Sequence, residues 1–144
     1  MEKLERLRWS DELSIGNVNV DKDHKKLIEI YNDLVDLIEL GRDREEFAII
    51  LSKLTDYTLT HFRKEEDYME KFSYPDLSEH KNYHCDFMYK VAMFNVDLLS
   101  SNPPEPKSII KFVDKWLAQH IMKNDADYEK YKNEIQSDAI YREY

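Results

Sequence analysis

Four stretches of the chain repeat apolar residues every three or four positions, the spacing that lines one face of an α-helix. His24, Leu27, Tyr31, Leu34, Val35 and Ile38 form one such face, on a helix predicted from Asn19 or Asp21 to Leu40. Phe47, Ile50, Leu51, Leu54, Tyr57, His61, Glu65 and Tyr68 form a second. A third runs through Leu77, His80, His84, Phe87, Val91, Phe94 and Leu98. The fourth carries Ile109, Phe112, Val113, Trp116, Leu117, His120 and Ile121 and continues to about Tyr131. The breaks between them are readable too. Gly41 suits the left-handed residue that ends a helix, and Asp43 with Glu46 three positions on reads as a capping box. Ser73-Tyr74-Pro75-Asp76 turns the chain, with Pro75 expected in the first turn of the third helix, and Ser100-Ser101-Asn102-Pro103-Pro104 stops that helix.

Residues 1–20 show no sustained helical pattern. They read as an arm with a turn at Ile15-Gly16-Asn17, expected to lie across one end of the bundle and cover it with Trp9. Residues 132–144 are a weakly amphipathic extension. The expected architecture is one all-α domain, an up-down-up-down four-helix bundle over about 21–131 with an N-terminal arm and a short C-terminal extension.

Composition narrows the class. Two glycines and four prolines in 144 residues suit helices, not a sheet sandwich. A net charge of −9 argues against a nucleic-acid partner, which requires a basic surface. No apolar run has membrane-spanning length, and the opening Met-Glu-Lys-Leu-Glu-Arg lacks a signal-peptide core, so a cytoplasmic protein is expected. The single cysteine, Cys85, follows His84 and reads as a small packing residue.

The histidines carry the chemistry. His61 and Glu65 stand four residues apart, as do His80 and His84, so each pair projects from one helix face toward a common point. In an up-down-up-down bundle, the start of the first helix, end of the second, start of the third and end of the fourth share one end. All five histidines, His24, His61, His80, His84 and His120, fall in those halves. A lone histidine on an apolar face is usually a hydrogen-bonded core residue; five converging on one place point to a metal site. Glu65 shares the face of His61 and is favoured over Glu66. On the fourth helix Asp125 lies about 140° round from His120, and Asp127 has the better angle but sits roughly 10 Å further along. Helix geometry does not choose between them.

Four ordered motifs resemble the hemerythrin family in its bacterial single-domain form. They are Trp9 and Ile15-Gly16 followed by V-D-K-D-H ending at His24, H-F-R-K-E-E-D-Y-M from His61, Y-P-D-L-S-E-H-K-N-Y-H ending at His84, and W-L-A-Q-H-I-M-K-N-D-A-D-Y from Trp116. The resemblance implies a di-iron centre with a bridging oxo or hydroxo group. By it, His80, His84 and His120 hold one iron, His24 and His61 the other, and Glu65 and Asp125 bridge them. That choice of Asp125 implies a local irregularity in the fourth helix. With octahedral irons the three-histidine ion is full and the two-histidine ion keeps one open position, where dioxygen binds. The formal charge of the site does not change when dioxygen takes one electron from each iron, which favours reversible binding over oxidation. Phe62, Trp116, Leu117 and Ile121 are implied to line an apolar oxygen pocket beside the two-histidine iron.

The expected function is thus reversible dioxygen binding, for storage or for delivery to an oxygen-accepting enzyme, by a protein that is not itself an enzyme and for which a monomer is favoured. The competing readings are a di-iron oxidase, peroxidase or nitric-oxide-handling enzyme, an oxygen-sensing module, and a zinc or manganese site, because affinity alone ranks zinc above Fe²⁺ at nitrogen donors.

Overall fold

The computed structural model describes residues 4–142. Four long helical rods form an up-down-up-down bundle, and no strand occurs among the described residues. α1 spans Val18–Glu39, α2 Arg44–Lys71 and α3 Leu77–Leu98. The fourth rod is compound: α4 over Pro106–Gln119, a π-helical segment over His120–Asp125, and α5 over Ala126–Arg142. α2 packs on α1 and α3, and α4 closes the bundle against α1 and α3.

The helix ends show why each rod starts and stops where it does. The Asn17 side chain accepts the Asn19 and Val20 N–H groups and opens α1. At its far end Gly41 (φ +67°) donates to the Ile38 carbonyl and Arg42 to that of Leu37, a Schellman closure that needs a left-handed residue. Asp43 caps α2 by accepting the Glu46 N–H, while the Glu46 carboxylate turns to Arg42 at 3.7 Å. α2 ends in a second Schellman closure, Ser73 to Glu70 and Tyr74 to Met69, with Ser73 held at φ +53°. Pro75 sits in the following turn, ahead of the Asp76 cap rather than inside α3. That turn is closed by the Leu77 N–H on the Tyr74 carbonyl, which leaves proline at its second position, where a fixed φ fits.

The N-terminal arm differs from expectation. Leu7 and Asn32 exchange two hydrogen bonds of 2.9 and 2.8 Å, Arg6 pairs with Asp36, and Leu4, Leu7 and Leu13 pack on the core. The arm therefore lies along the flank of α1 instead of across an end. Trp9 is half-buried under the Lys25 ammonium. Cys85 is exposed, because one position past the inward His84 a helix has already turned toward solvent. α5 continues without a break through the expected extension to Arg142, and Glu143 and Tyr144 lie outside the described residues, as do residues 1–3.

Two apolar clusters organise the interior. The larger one includes Leu27, Leu34, Leu51, Leu54, Phe87, Val91, Leu98, Ile109, Val113 and Leu117. Val20, Met69 and Tyr128 form a smaller one, flanked by Tyr68, Phe72, Tyr74 and Leu77. The histidines lie along the rods where the two clusters meet, with Phe62 and Ile121 of the larger one next in sequence to His61 and His120. Burying each large apolar side chain contributes roughly 1.5–3 kcal/mol, so the clusters on either side can hold a polar layer that is costly by itself.

Candidate metal centre

The structure brings His24, His61, Glu65, His80, His84, His120 and Asp125 together, each 3% exposed or less. Their donor atoms fall into two overlapping groups. One comprises His24, His61, Glu65, His120 and Asp125, and the other Glu65, His80, His84, His120 and Asp125; within each, the atoms lie within 4.8 Å of one another. Helix spacing explains most of this. His61 and Glu65 are one turn apart on α2, with Nε2 to Oε1 2.7 Å, and His80 and His84 are one turn apart on α3 with ring centroids 4.6 Å apart.

The exception is Asp125, and the π segment accounts for it. A π turn takes in one more residue than an α turn, which brings residue 125 back toward residue 120. His120 Nε2 lies 3.0 Å from Asp125 Oδ2. Asp127, the better-angled alternative on a regular helix, is exposed.

Each carboxylate stands between histidines of both implied sets. Glu65 Oε1 is 2.7 Å from His61, 3.1 Å from His120 and 3.7 Å from His84. Asp125 is 2.7 Å from His24, 3.1 Å from His80 and 3.0 Å from His120, all at Nε2. These contacts do not complete a hydrogen-bond network. Nε2 of His61, His80 and His84, Oε2 of Glu65 and Oδ1 of Asp125 are buried with no hydrogen-bond partner of proper geometry. Lone pairs crowded on a shared centre, with two carboxylates and no lysine or arginine among the seven, make a donor set that fits cations.

Without metal, protons must do that work. Burial pushes the His61 imidazole down, but the Glu65 charge and the bonds to Asp23 and Glu65 outweigh it and bring its pKa to about 10. For His120, burial again opposes the charges of Asp125 and Glu65, which win and set it at about 9. His84 goes the other way, pushed down to about 3 mainly by burial. Burial and the neighbouring Asp125 charge raise Glu65, yet His61 and His120 pull it down to about 2.

A second ring of residues, not evident in the sequence, holds the histidines from outside. His61 Nδ1 lies 2.9 Å from Asp23 Oδ2, whose other oxygen accepts the Tyr57 hydroxyl at 3.0 Å. His84 Nδ1 lies 2.9 Å from Glu66 Oε2. A carboxylate on the outer nitrogen fixes the tautomer and aims Nε2 inward. Tyr128 packs edge-on to His80 at 5.7 Å, and the buried Glu129 accepts the Tyr68 hydroxyl at 2.8 Å. With thirty acidic residues in the chain, nothing in spacing singled out Asp23, Glu66 or Glu129.

Of the four residues expected around an oxygen pocket, Phe62 and Trp116 pack on histidines of the cluster, and Leu117 and Ile121 belong to the neighbouring apolar core. Phe62, Leu117 and Ile121 are buried and Trp116 half-buried. Phe62 stacks on His84 (3.8 Å between centroids) and Trp116 on His120 (4.3 Å), both in the three-histidine set; Phe62 also reaches His61 at 6.0 Å. Among the described residues, no helix is long and apolar enough to cross a membrane.

The comparisons agree with this geometry. Residues 16–131 match the hemerythrin HHE cation binding domain. The chain is 32% identical to a bacteriohemerythrin of Clostridium acetobutylicum over 83% of its own length and 96% of the relative's. It is also 32% identical to a bacteriohemerythrin of Pseudomonas aeruginosa (87% and 80%) and 30% identical to myohemerythrin-1 of Phascolopsis gouldii (83% and 89%). The crystal structure of wild-type hemerythrin superposes with a TM-score of 0.79 at 29% identity, covering 86% of this chain and 95% of that one. The family binds a di-iron centre, and the buried cluster here has the donors for two metal ions. By the span of the matched domain and the identity to its relatives, the chain belongs to the hemerythrin family.

Proposed function

We propose that this protein binds dioxygen reversibly at a di-iron centre, for storage or delivery to an oxygen-requiring enzyme. The observation that carries the reading is that five imidazoles surround two shared carboxylates, His24 and His61 in one donor group, His80 and His84 in the other and His120 in both, and the family resemblance counts His120 with His80 and His84. Glu65 reaches His61, His84 and His120, and Asp125 reaches His24, His80 and His120, so each carboxylate is shared between the two groups. Three histidines, two shared carboxylates and a bridging hydroxide would fill the six positions of one ion. Two histidines with the same shared groups would leave the second ion one open position. The irons, when bound, supply that position and the electrons that dioxygen borrows.

The chain's own residues do the rest. Asp23 and Glu66 hold His61 and His84 with Nε2 inward. Phe62 and Trp116 fix imidazole planes by stacking, and Leu117 and Ile121 keep water from the fourth-rod side. Five neutral imidazoles against two carboxylates leave less anionic charge than the four-carboxylate sites of ferritin-like proteins, which favours a carrier over an oxidase. The test is oxygen uptake by the iron-loaded protein with excess reductant. A carrier takes up about one dioxygen per chain, the one open position expected from an octahedral site, and stops. Continued consumption with release of peroxide or water would assign an oxidase instead.

A further inference from the structure

The cluster is walled differently on different sides. On the fourth-rod side it is covered by Phe62, Trp116, Leu117 and Ile121. A cleft of about 210 Å³ ends on His80, and there Asp76, Glu79 and Asp127 face Lys123. A larger cleft, about 620 Å³, opens between the start of α1 and the second half of α2, and its lining includes His61 and Glu65. Lys22 and Lys64 line it, and both are exposed. Asp23, the remaining carboxylate of this cleft, is bonded to His61 and Tyr57 and lies 3.9 Å from Lys64. Two buried polar atoms without hydrogen-bond partners, His61 Nε2 and Glu65 Oε2, belong to residues of its wall.

These walls differ in charge. The chain as a whole, at −9, repels anions. Screening confines each charge to about 8–10 Å at ordinary ionic strength, so the local mouth decides the approach. The apolar wall makes an ion costly to admit. The His80 cleft presents three carboxylates to one lysine. The α1–α2 cleft presents two lysines beside Asp23, already bonded on both oxygens, and Glu65, which belongs to the cluster itself.

We propose that the cleft between α1 and α2 is the entry site by which small monovalent inorganic anions reach the two-histidine side of the cluster, drawn in by Lys22 and Lys64. The proposal rests on the di-iron reading and adds a regulator to it. The ionic composition of the medium acts on the site through this cleft, on the side where the buried His61 and Glu65 form its wall.

The probe is azide, mixed by stopped flow with the air-oxidised, iron-loaded full chain, and its arrival is followed as growth of an azide-to-iron absorption band. Lys22→Glu and Lys64→Glu should each slow the second-order association by roughly three- to tenfold at low salt, and the differences should vanish near 1 M salt. Lys90→Glu, on the exposed face of α3, changes the net charge equally and should leave the rate within about twofold of wild type. Asn19→Trp, which narrows the cleft, should slow entry at every salt concentration. Cleft variants that hold two irons and associate as fast as wild type would overturn the proposal, as would equal slowing by Lys90→Glu. A wild-type protein that loads two irons but shows no azide band would also overturn the proposal, whereas one that folds but does not load two irons would contradict the di-iron reading itself.

Discussion

Glu65 and Asp125 are the residues on which the site turns, because each touches histidines of both sets. Glu65→Ala should therefore lower iron from about two per chain to less than one, since loss of a shared ligand weakens both ions. Retention of two irons, measured by metal analysis on folded protein, would remove Glu65 from the bridge. The metal-free form makes a second prediction. His61 and His120, at about 10 and 9, lie above the ordinary 6.5, so their contribution to stability is full below that value and is lost as pH rises through 9 to 10. His84, at about 3, contributes above 6.5 and loses its contribution as pH falls toward 3. The metal-free fold should be most resistant to urea near neutral pH and weaker on both sides. At pH 7 two imidazolium charges then balance two carboxylates, and iron loading should release about three protons, two from His61 and His120 and one from the water that becomes the bridging hydroxide, measurable by calorimetry in buffers of different ionisation heat. Loading with no proton release would contradict the assignment. Six of the seven donors were legible because histidines are few and their spacing, with that of Glu65, is helical. Asp125 was not legible from spacing, since the π turn that places it breaks the regular period. Cys85 was misread as packing because its neighbour's inward direction says nothing of its own.

At the scale of elements, helix boundaries were legible wherever a side chain or glycine closes them, as at Asp43 and Gly41. The arm was not, because its attachment depends on backbone groups of Leu7 meeting Asn32, a contact with no periodic signature. α1 and α2 end in the same closure with different residues in the left-handed position, glycine at 41 and serine at 73. An added Cβ at Gly41 meets nothing within 4 Å, so only backbone conformation is at stake. Gly41→Ala should cost about 1 kcal/mol, and Ser73→Gly should gain roughly 0.5 kcal/mol by relieving a strained φ at some entropic cost. Opposite shifts of the urea midpoint check this. A destabilising Ser73→Gly would mean that the serine side chain does more than occupy the turn.

Across the whole molecule, a polar layer lies between a large apolar cluster and a small one, with Phe62 and Leu117 on one side of it and Met69 and Tyr128 on the other. The large cluster gives the bundle its core. Leu117→Ala should cost about 2–5 kcal/mol and, by opening the wall beside His120, shorten the life of the oxygenated form in air. Equal decay in a folded, iron-loaded variant would leave Leu117 with a packing role alone. The most direct test of the account is the visible spectrum of one iron-loaded sample under nitrogen, then in air, then degassed again. The account predicts a nearly colourless protein that gains an absorption band in air and loses it on degassing, cycle after cycle, with about two irons per chain throughout. A band that forms once and never reverses, or a protein that stays colourless in air with both irons bound, would contradict it.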